Sequence, residues 1–233
     1  MIGLNCSVLV PYRPDAGWRD AAWERIETRW QRLGAEVIVE SPGPGAHPGE
    51  FNHPLAINRA AERATRDVLM VADADCGWTL GLPERLVDVV RGGAPWALAL
   101  DYAQLTKQQT RRLHQLNREP TMADLKGAAW VGRAVSWAGL ICITADAFRE
   151  VGGYDERYEW WGADDMAFGL TADTLLGKHA RVPGAVIHYW HPAPLEHNYG
   201  HERHQDQYAL GERYKAAAGD VDAMRCVRFN LDA

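Results

Sequence analysis

No stretch of the chain approaches the roughly 18 consecutive apolar residues that a membrane-spanning helix needs. The opening Met1–Val10 is too short and too polar for the apolar region of a secretory signal. The expectation is a cytoplasmic protein with no membrane insertion. Cysteine is scarce, and no C-x-x-C pair occurs. Cys6, Cys76, Cys142 and Cys226 lie far apart, three of them in or beside strand-like runs, which suits buried free thiols better than a disulfide framework or a zinc cage. A global basic field is also missing. With 25 Lys and Arg against 31 Asp and Glu, the net charge of -6 leaves nonspecific nucleic-acid or membrane-surface binding to a local patch. Internal repeats and domain-separating linkers are absent. What remains is 233 residues, 47% hydrophobic and 24% charged, the composition of one packed domain with room for a small appendage. Ten tryptophans are the one unusual count, and they serve cores as readily as sugar-binding clefts.

The first half alternates strands and helices. Cys6–Val10 is a short apolar run ended by Pro11. Trp18–Leu33 follows, with Trp23, Ile26, Trp30 and Leu33 on one helical face and Gly34 as a stop. Glu36–Glu40 alternates like a strand, and Ser41–Gly49 is a Pro/Gly-rich loop. A helix over Pro54–Thr65, with Asn52 as its cap, precedes the buried strand Val68–Ala72. Helix Pro83–Val90 and strand Trp96–Leu100 complete a βαβαβ rhythm, which predicts an α/β fold with a mostly parallel sheet flanked by helices. The second half is less regular. Gln104–Arg118 reads as an exposed basic helix or flap, Trp137–Ile143 and Ala185–Trp190 as strands, Asp146–Val151 and Asp164–Leu176 as helices. A final helix spans roughly 203–217. The expected division is one domain over 1–194, with a helical extension over 195–233 packed on it.

Three clusters can carry chemistry. Asp73-Ala74-Asp75 leaves the carboxyl end of a buried strand, where open α/β sheets bind ligands, and suits either a divalent ion or two solvated turn aspartates. The pattern alone is weak: a chain this rich in aspartate holds about one such pair by chance, and Asp220-Val221-Asp222 in the polar tail is a decoy. A phosphatase of the haloacid-dehalogenase type would carry Thr or Val where Gly77 stands. Asp164 and Asp165 open a helix, where carboxylates cap free N–H groups or, held ionised, accept a proton as general base. His188 and His191 sit three apart at a strand exit, as structural residues or as ligands suited to Mn²⁺ beside carboxylate oxygens. His197, His201 and His204 read as surface residues, because His201-Glu202-Arg203-His204 is one residue short of H-E-x-x-H.

In order, these segments resemble the GT-A-fold glycosyltransferases, especially the family 2 enzymes and the galactosyltransferase C-terminal module. Val8-Leu9-Val10-Pro11-Tyr12-Arg13 resembles the first strand and its nucleotide-contacting exit. Phe51-Asn52, Ala56 and Asn58 resemble the helix before the metal motif, to which Asp73-Ala74-Asp75 is similar. Phe148-Arg149-Glu150-Val151-Gly152-Gly153-Tyr154-Asp155-Glu156 is similar to the family's F-x-x-V-G-G-F-D-E, Trp161-Gly162-Ala163-Asp164-Asp165 to its W-G-x-E-D, and His188 with His191 to its late H-x-x-H. The motifs cover roughly residues 7–192.

The resemblance implies a GT-A, Rossmann-like fold and a metal-dependent, inverting transfer of one sugar from a nucleotide-diphosphate sugar to an acceptor hydroxyl. Asp75 would bind Mn²⁺ or Mg²⁺ with Asp73 assisting and His188 completing the site. Asp165 would be the base and Asp164 would hold the acceptor, with Trp160 and Trp161 stacking on it. Pro11, Tyr12, Arg13, Glu40, Asn58, Asp73, Ala74 and Gly139 would line the donor. Glu40 stands where Asp is usual, and Asp164 where Glu is commoner. A retaining transferase or nucleotidyltransferase of the same fold would need no base at Asp165, and an inactive sugar- or nucleotide-binding module is the reading from another class. The acceptor is a saccharide, a protein hydroxyl or a hydroxylated DNA base, the last suggested by the basic run Lys107, Arg111, Arg112 and Arg118.

Overall fold

The computed structural model describes residues 3–41, 51–116, 118–131, 137–159, 162–192 and 202–231, with side chains from 205 onward in the last segment. Trp160, Trp161, His197 and His201 lie outside the described residues, as does the side chain of His204.

The expected rhythm is present in the N-terminal half. Strand β1 (Ser7–Pro11) is buried along its whole length. Helix α1 (Trp18–Leu33) buries Ala22, Trp23, Ile26 and Trp30 and ends where Gly34 turns left-handed at φ 70°. Strand β2 (Glu36–Glu40) pairs parallel with β1. Helix α2 (His53–Arg63) starts at Asn52, whose side chain accepts from Leu55 N at 2.8 Å and satisfies one of the free N–H groups of the first turn. Strand β3 (Val68–Ala72) returns parallel to β1 and is buried on both faces, the signature of a strand with helices above and below.

A short strand follows that periodicity did not reveal: β4 (Cys76–Trp78), three residues long. Helix α3 (Leu82–Arg91) and strand β5 (Trp96–Gln104) come next, β5 running four residues beyond its expected end. The basic segment forms α4 (Lys107–His114), closed at its start by reciprocal bonds between Thr106 and Gln109. Strands β6 (Ala129–Val131) and β7 (Leu140–Thr144), helices α5 (Ala145–Glu150) and α6 (Asp164–Leu175), strand β8 (Ala180–His188) and helices α7 (Glu202–Ala217) and α8 (Val221–Phe229) complete the chain. Helix α8 corrects the reading of a polar tail. Asp220 caps it by accepting from Ala223 N at 3.0 Å, so the apparent second D-x-D is a helix start.

The sheet order is β2-β1-β3-β7-β5-β8-β4, with β6 on β5. Pairings β1–β2, β1–β3 and β5–β8 are parallel; β3–β7, β5–β7, β4–β8 and β5–β6 are antiparallel, so the sheet is mixed. Parallel pairing joins the strands of the βαβ half and also β5 with β8, where long crossovers permit it, and β7 enters antiparallel between β3 and β5.

Apolar side chains fill both faces of the sheet. One face holds Trp23, Trp30 and Trp78 with the α1 and α3 residues, and the other holds Trp96, Phe148, Tyr154 and Phe168. Trp30, Trp78 and Trp96 are fully buried, each contributing on the order of 2–3 kcal/mol of transfer free energy. A third cluster of Tyr158, Ala167, Leu210, Tyr214, Ala217 and Met224 joins α7 and α8 to α6. It is pinned by Asp155, which accepts from Tyr214 Oη at 2.7 Å and from Arg157 Nη2 at 2.6 Å, while the same Arg157 nitrogen donates to Val227 O at 2.6 Å. Among the described residues no helix is long and apolar enough to cross a membrane.

Candidate functional site

The site begins where β3 stops. Asp73 N donates to Gly139 O at 3.3 Å, Cys76 N to Asp73 O at 3.0 Å, and the turn so formed delivers the chain into β4. Because β4 pairs with β8 in the register Cys76↔His188, the second aspartate of the turn lands beside the histidine that ends β8. Tyr189 N closes the junction on Asp75 O at 2.9 Å. Gly139 is required here. Its φ is +87°, and a Cβ would lie 2.8 Å from Val186 Cγ1 and 3.0 Å from the Tyr102 ring.

Asp75 is 8% exposed and surrounded by nitrogen. Its Oδ2 accepts from Arg19 Nε at 3.0 Å and faces His191 Nε2 at 3.3 Å; its Oδ1 lies 3.8 Å from His188 Nε2. Burial alone would raise its pKa, but the His191 bond and the charges of His188 and Arg19 outweigh burial and hold the carboxyl well below its usual range. Burial keeps His188 below the ordinary imidazole value, whereas the bond to Asp75 raises His191.

This donor set fits a divalent ion. A carboxylate oxygen and an imidazole nitrogen, too far apart for a hydrogen bond to each other, offer the oxygen and nitrogen ligands that Mn²⁺ accepts. Asp75, Cys76 and His188 each present a ligand atom within 4.8 Å of the others. The Cys76 thiol stays protonated, since burial and the charges of Asp73 and Asp75 push its pKa well up.

A second cluster faces the first. Helix α6 opens with Asp164 and Asp165 after Ala163, itself left-handed at φ 69°. Tyr154, stacked on Phe168 at 4.4 Å, donates its hydroxyl to Asp165 Oδ1 at 3.0 Å. Between the clusters stands His53, the first residue of α2. Its Nδ1 lies 2.7 Å from Asp164 Oδ2 and its Nε2 3.3 Å from Asp73 Oδ1. Both neighbours are acceptors, so both ring nitrogens carry protons. Burial opposes that charge, but the bonds and charges of Asp164 and Asp73 raise the pKa well above the ordinary value. Asp165 shifts up too, first from burial and then from Asp164 and Asp73. Contacts therefore run without a gap from His188 through Asp75, Cys76, Asp73 and His53 to Asp164, and Asp165 joins His53 and Asp164 in the same cluster.

The remaining donor-side expectations divide. Pro11 ends β1, Ala74 is buried in the turn, and Arg13 is exposed at the strand exit. Tyr12 donates its hydroxyl to Asp20. Glu40 pairs with Arg63, and Asn58 is spent on the loop after α5: it donates to Tyr154 O at 2.9 Å and Glu156 Oε1 at 2.8 Å and accepts from Tyr154 N at 2.9 Å. That gives Asn58 a structural task, holding the loop that carries Tyr154. The lysine and arginines of α4, and Arg118 beyond it, are exposed but make contacts within the chain. Arg118 pairs with Asp124, Arg112 donates to Asp124 O, and Lys107 and Arg111 lie 5.1 and 5.3 Å from the Trp18 ring.

Sequence reasoning missed His53, Tyr154 and Arg19. The one available signal was a histidine placed directly after the Asn52 cap, at a helix end near the metal motif; Arg19 lies 56 residues from Asp75 and carries no local sign of it.

No family model matches the chain. Among curated proteins it is similar to the probable N-acetylgalactosaminyltransferase 9 of Caenorhabditis elegans, 23% identical over 168 residues, covering 57% of this chain and 27% of the relative. Among solved structures it is similar to GalNAc-T7 with UDP, GalNAc and Mn²⁺, with a TM-score of 0.55 and 16% identity over 97% of this chain and 55% of that one. The catalytic domain of Drosophila β1,4-galactosyltransferase 7 in complex with xylobiose has a TM-score of 0.48 and 15% identity, over 86% of this chain and 77% of that one. The chain thus spans about a quarter of the curated relative and about half of the GalNAc-T7 chain. The GalNAc-T7 likeness shows the fold, that of the GT-A glycosyltransferases.

Proposed function

We propose that the chain is a metal-dependent, inverting glycosyltransferase that moves one sugar from a nucleotide-diphosphate sugar to an acceptor hydroxyl. One observation carries the reading: the β4–β8 register sets Asp75 beside His188, and the same cluster holds the half-buried Asp165 next to His53 and Asp164. The bound UDP and Mn²⁺ of GalNAc-T7, on the same fold, support UDP as the nucleotide and Mn²⁺ as the ion.

Asp75 and His188 would hold the ion, which when bound neutralises charge growing on the diphosphate as the glycosidic bond breaks. Asp73 faces the donor side, and Arg13 stands at the strand exit expected to meet the nucleotide. Asp165 takes the acceptor proton while that oxygen attacks the anomeric carbon from the face opposite the leaving group, and a single displacement inverts the centre. A raised pKa suits this work, since a carboxylate with greater proton affinity is a stronger base. Asp164 accepts a hydrogen bond from the acceptor, and Trp160 and Trp161 supply the apolar platform. The acceptor hydroxyl belongs to a saccharide or a protein rather than a DNA base, since a net charge of -6 provides no general field for nucleic acid. Four free thiols favour a reducing compartment, the cytoplasm.

The test is a thermal-shift panel of UDP- and GDP-sugars with and without Mn²⁺. At about 100-fold excess over Kd the correct donor adds about 2.7 kcal/mol, a rise of roughly 5–10 °C, only with the ion present. No shift with any donor refutes the reading, and a product retaining the donor's anomeric configuration refutes inversion.

A further inference from the structure

The transferase reading assigns work to the carboxylates on both sides of the cleft but leaves open what keeps them in register. Asp73 leaves a strand and Asp164 opens a helix 91 residues later. Both face the same imidazole, at 3.3 and 2.7 Å. The ring is held from outside: Asn52 fixes the helix start beneath it, and the Tyr154 ring meets it edge-on at 6.1 Å. Tyr154 in turn directs its hydroxyl to Asp165. The His53 side chain is 21% exposed, so it lies within reach of solutes.

We propose that His53 is a positioning residue that spans the cleft between Asp73 and Asp164, holding the donor-side and acceptor-side carboxylates in one arrangement. It touches no reacting atom. When the donor engages Asp73, the Nε2 bond is the one exchanged, and the shorter Nδ1 bond keeps Asp164 aimed at the acceptor. This inference rests on the transferase reading, and its consequence is a split in kinetics. Loss of the imidazole disturbs the step that needs the acid pair and spares donor binding at Asp75 and His188.

The experiment uses the whole chain, UDP-N-acetylgalactosamine and UDP-galactose as probes, and water as acceptor, so that cleavage yields UDP and free sugar. His53→Ala is expected to lower kcat for Mn²⁺-dependent hydrolysis at least tenfold while leaving the donor KM and the Mn²⁺-dependent affinity for UDP within twofold. Added imidazole is expected to restore part of the rate. His53→Gln, whose amide N–H reaches one carboxylate, falls between. An unchanged kcat, or a fall in kcat accompanied by a rise in KM with no rescue by imidazole, overturns the proposal. Absence of hydrolysis by the wild type with either donor counts against the transferase reading instead. In that event the imidazole ¹H–¹⁵N resonances of His53 decide the positioning role without turnover. Asp164→Asn should shift the Nδ1–H signal and Asp73→Asn the Nε2–H signal; a ring indifferent to both overturns it.

Discussion

Replacing Asp165 with asparagine should stabilise the protein while removing its activity. The carboxyl lies half-buried in the first turn of α6, and its pKa is pushed well above the usual value by burial, then by Asp164 and Asp73. In the unfolded chain the same group ionises near 3.9. From that pH upward, until the folded value is passed, the unfolded state is favoured by about 1.4 kcal/mol for each pH unit separating the two pKa values. Asparagine keeps the shape and still accepts from Tyr154, but carries no charge to desolvate. The helix end returns part of the cost in the wild type, since a negative charge there is favourable by about 0.3–1 kcal/mol. The net gain expected at pH 7 is about 1–2 kcal/mol, the usual size of a single stabilising substitution. For a chain of this length that is a rise of roughly 2–8 °C. The assay is calorimetry of the ion-free protein at pH 7 and at about pH 3.5, where most of the charge difference at this position is gone and the two melting curves should nearly coincide. Sugar transfer should fall about 10²- to 10⁴-fold, the usual contribution of a general base. A lower melting temperature at pH 7, or an equal gain at both pH values, refutes the electrostatic account.

Tyr154→Phe should lower kcat about 10- to 100-fold at constant donor KM, because the lost hydrogen bond to an ionised acceptor is worth about 1.5–3 kcal/mol; steady-state kinetics checks it, and an unchanged kcat excludes a role for the hydroxyl. Asp155→Ala should destabilise the packing of α7 and α8 by about 2–3 kcal/mol, discounted from a fully buried pair because Arg157 is one-third exposed, and urea unfolding measures it. Burial would raise the Asp155 pKa, but bonds from Arg157 and Tyr214 lower it below the ordinary carboxylate value. Its stabilisation is therefore complete above the unfolded pKa near 3.9 and disappears as pH falls through the lower folded value, a loss that Asp155→Ala should not show.

The two halves of the site were unequally legible. Asp73 and Asp75 were recognisable because a fully apolar strand precedes them, and Asp164 and Asp165 because a helix follows them. Each is a local pattern. Asn58 shows the opposite case: the residue is where the resemblance puts it, yet its side chain is occupied by the Tyr154 loop 96 residues away. Nothing local announces that partner.

Periodicity and breakers in the sequence were enough for the βαβ half of the fold, from β1 through β3, because short apolar runs there become buried strands, α1 and α2 bury one face at helical spacing, and Gly34 and Asn52 mark helix ends by their own chemistry. Tertiary structure alone decided the three-residue strand β4, the antiparallel entry of β7 and the capped helix at Asp220. It also brought His53 between Asp73 and Asp164 and set Arg19 against Asp75. A short strand has too few residues to show a period, and its register comes from the partner it pairs with. Which charges meet across a cleft depends on that register, a property of the packed chain rather than of any segment within it.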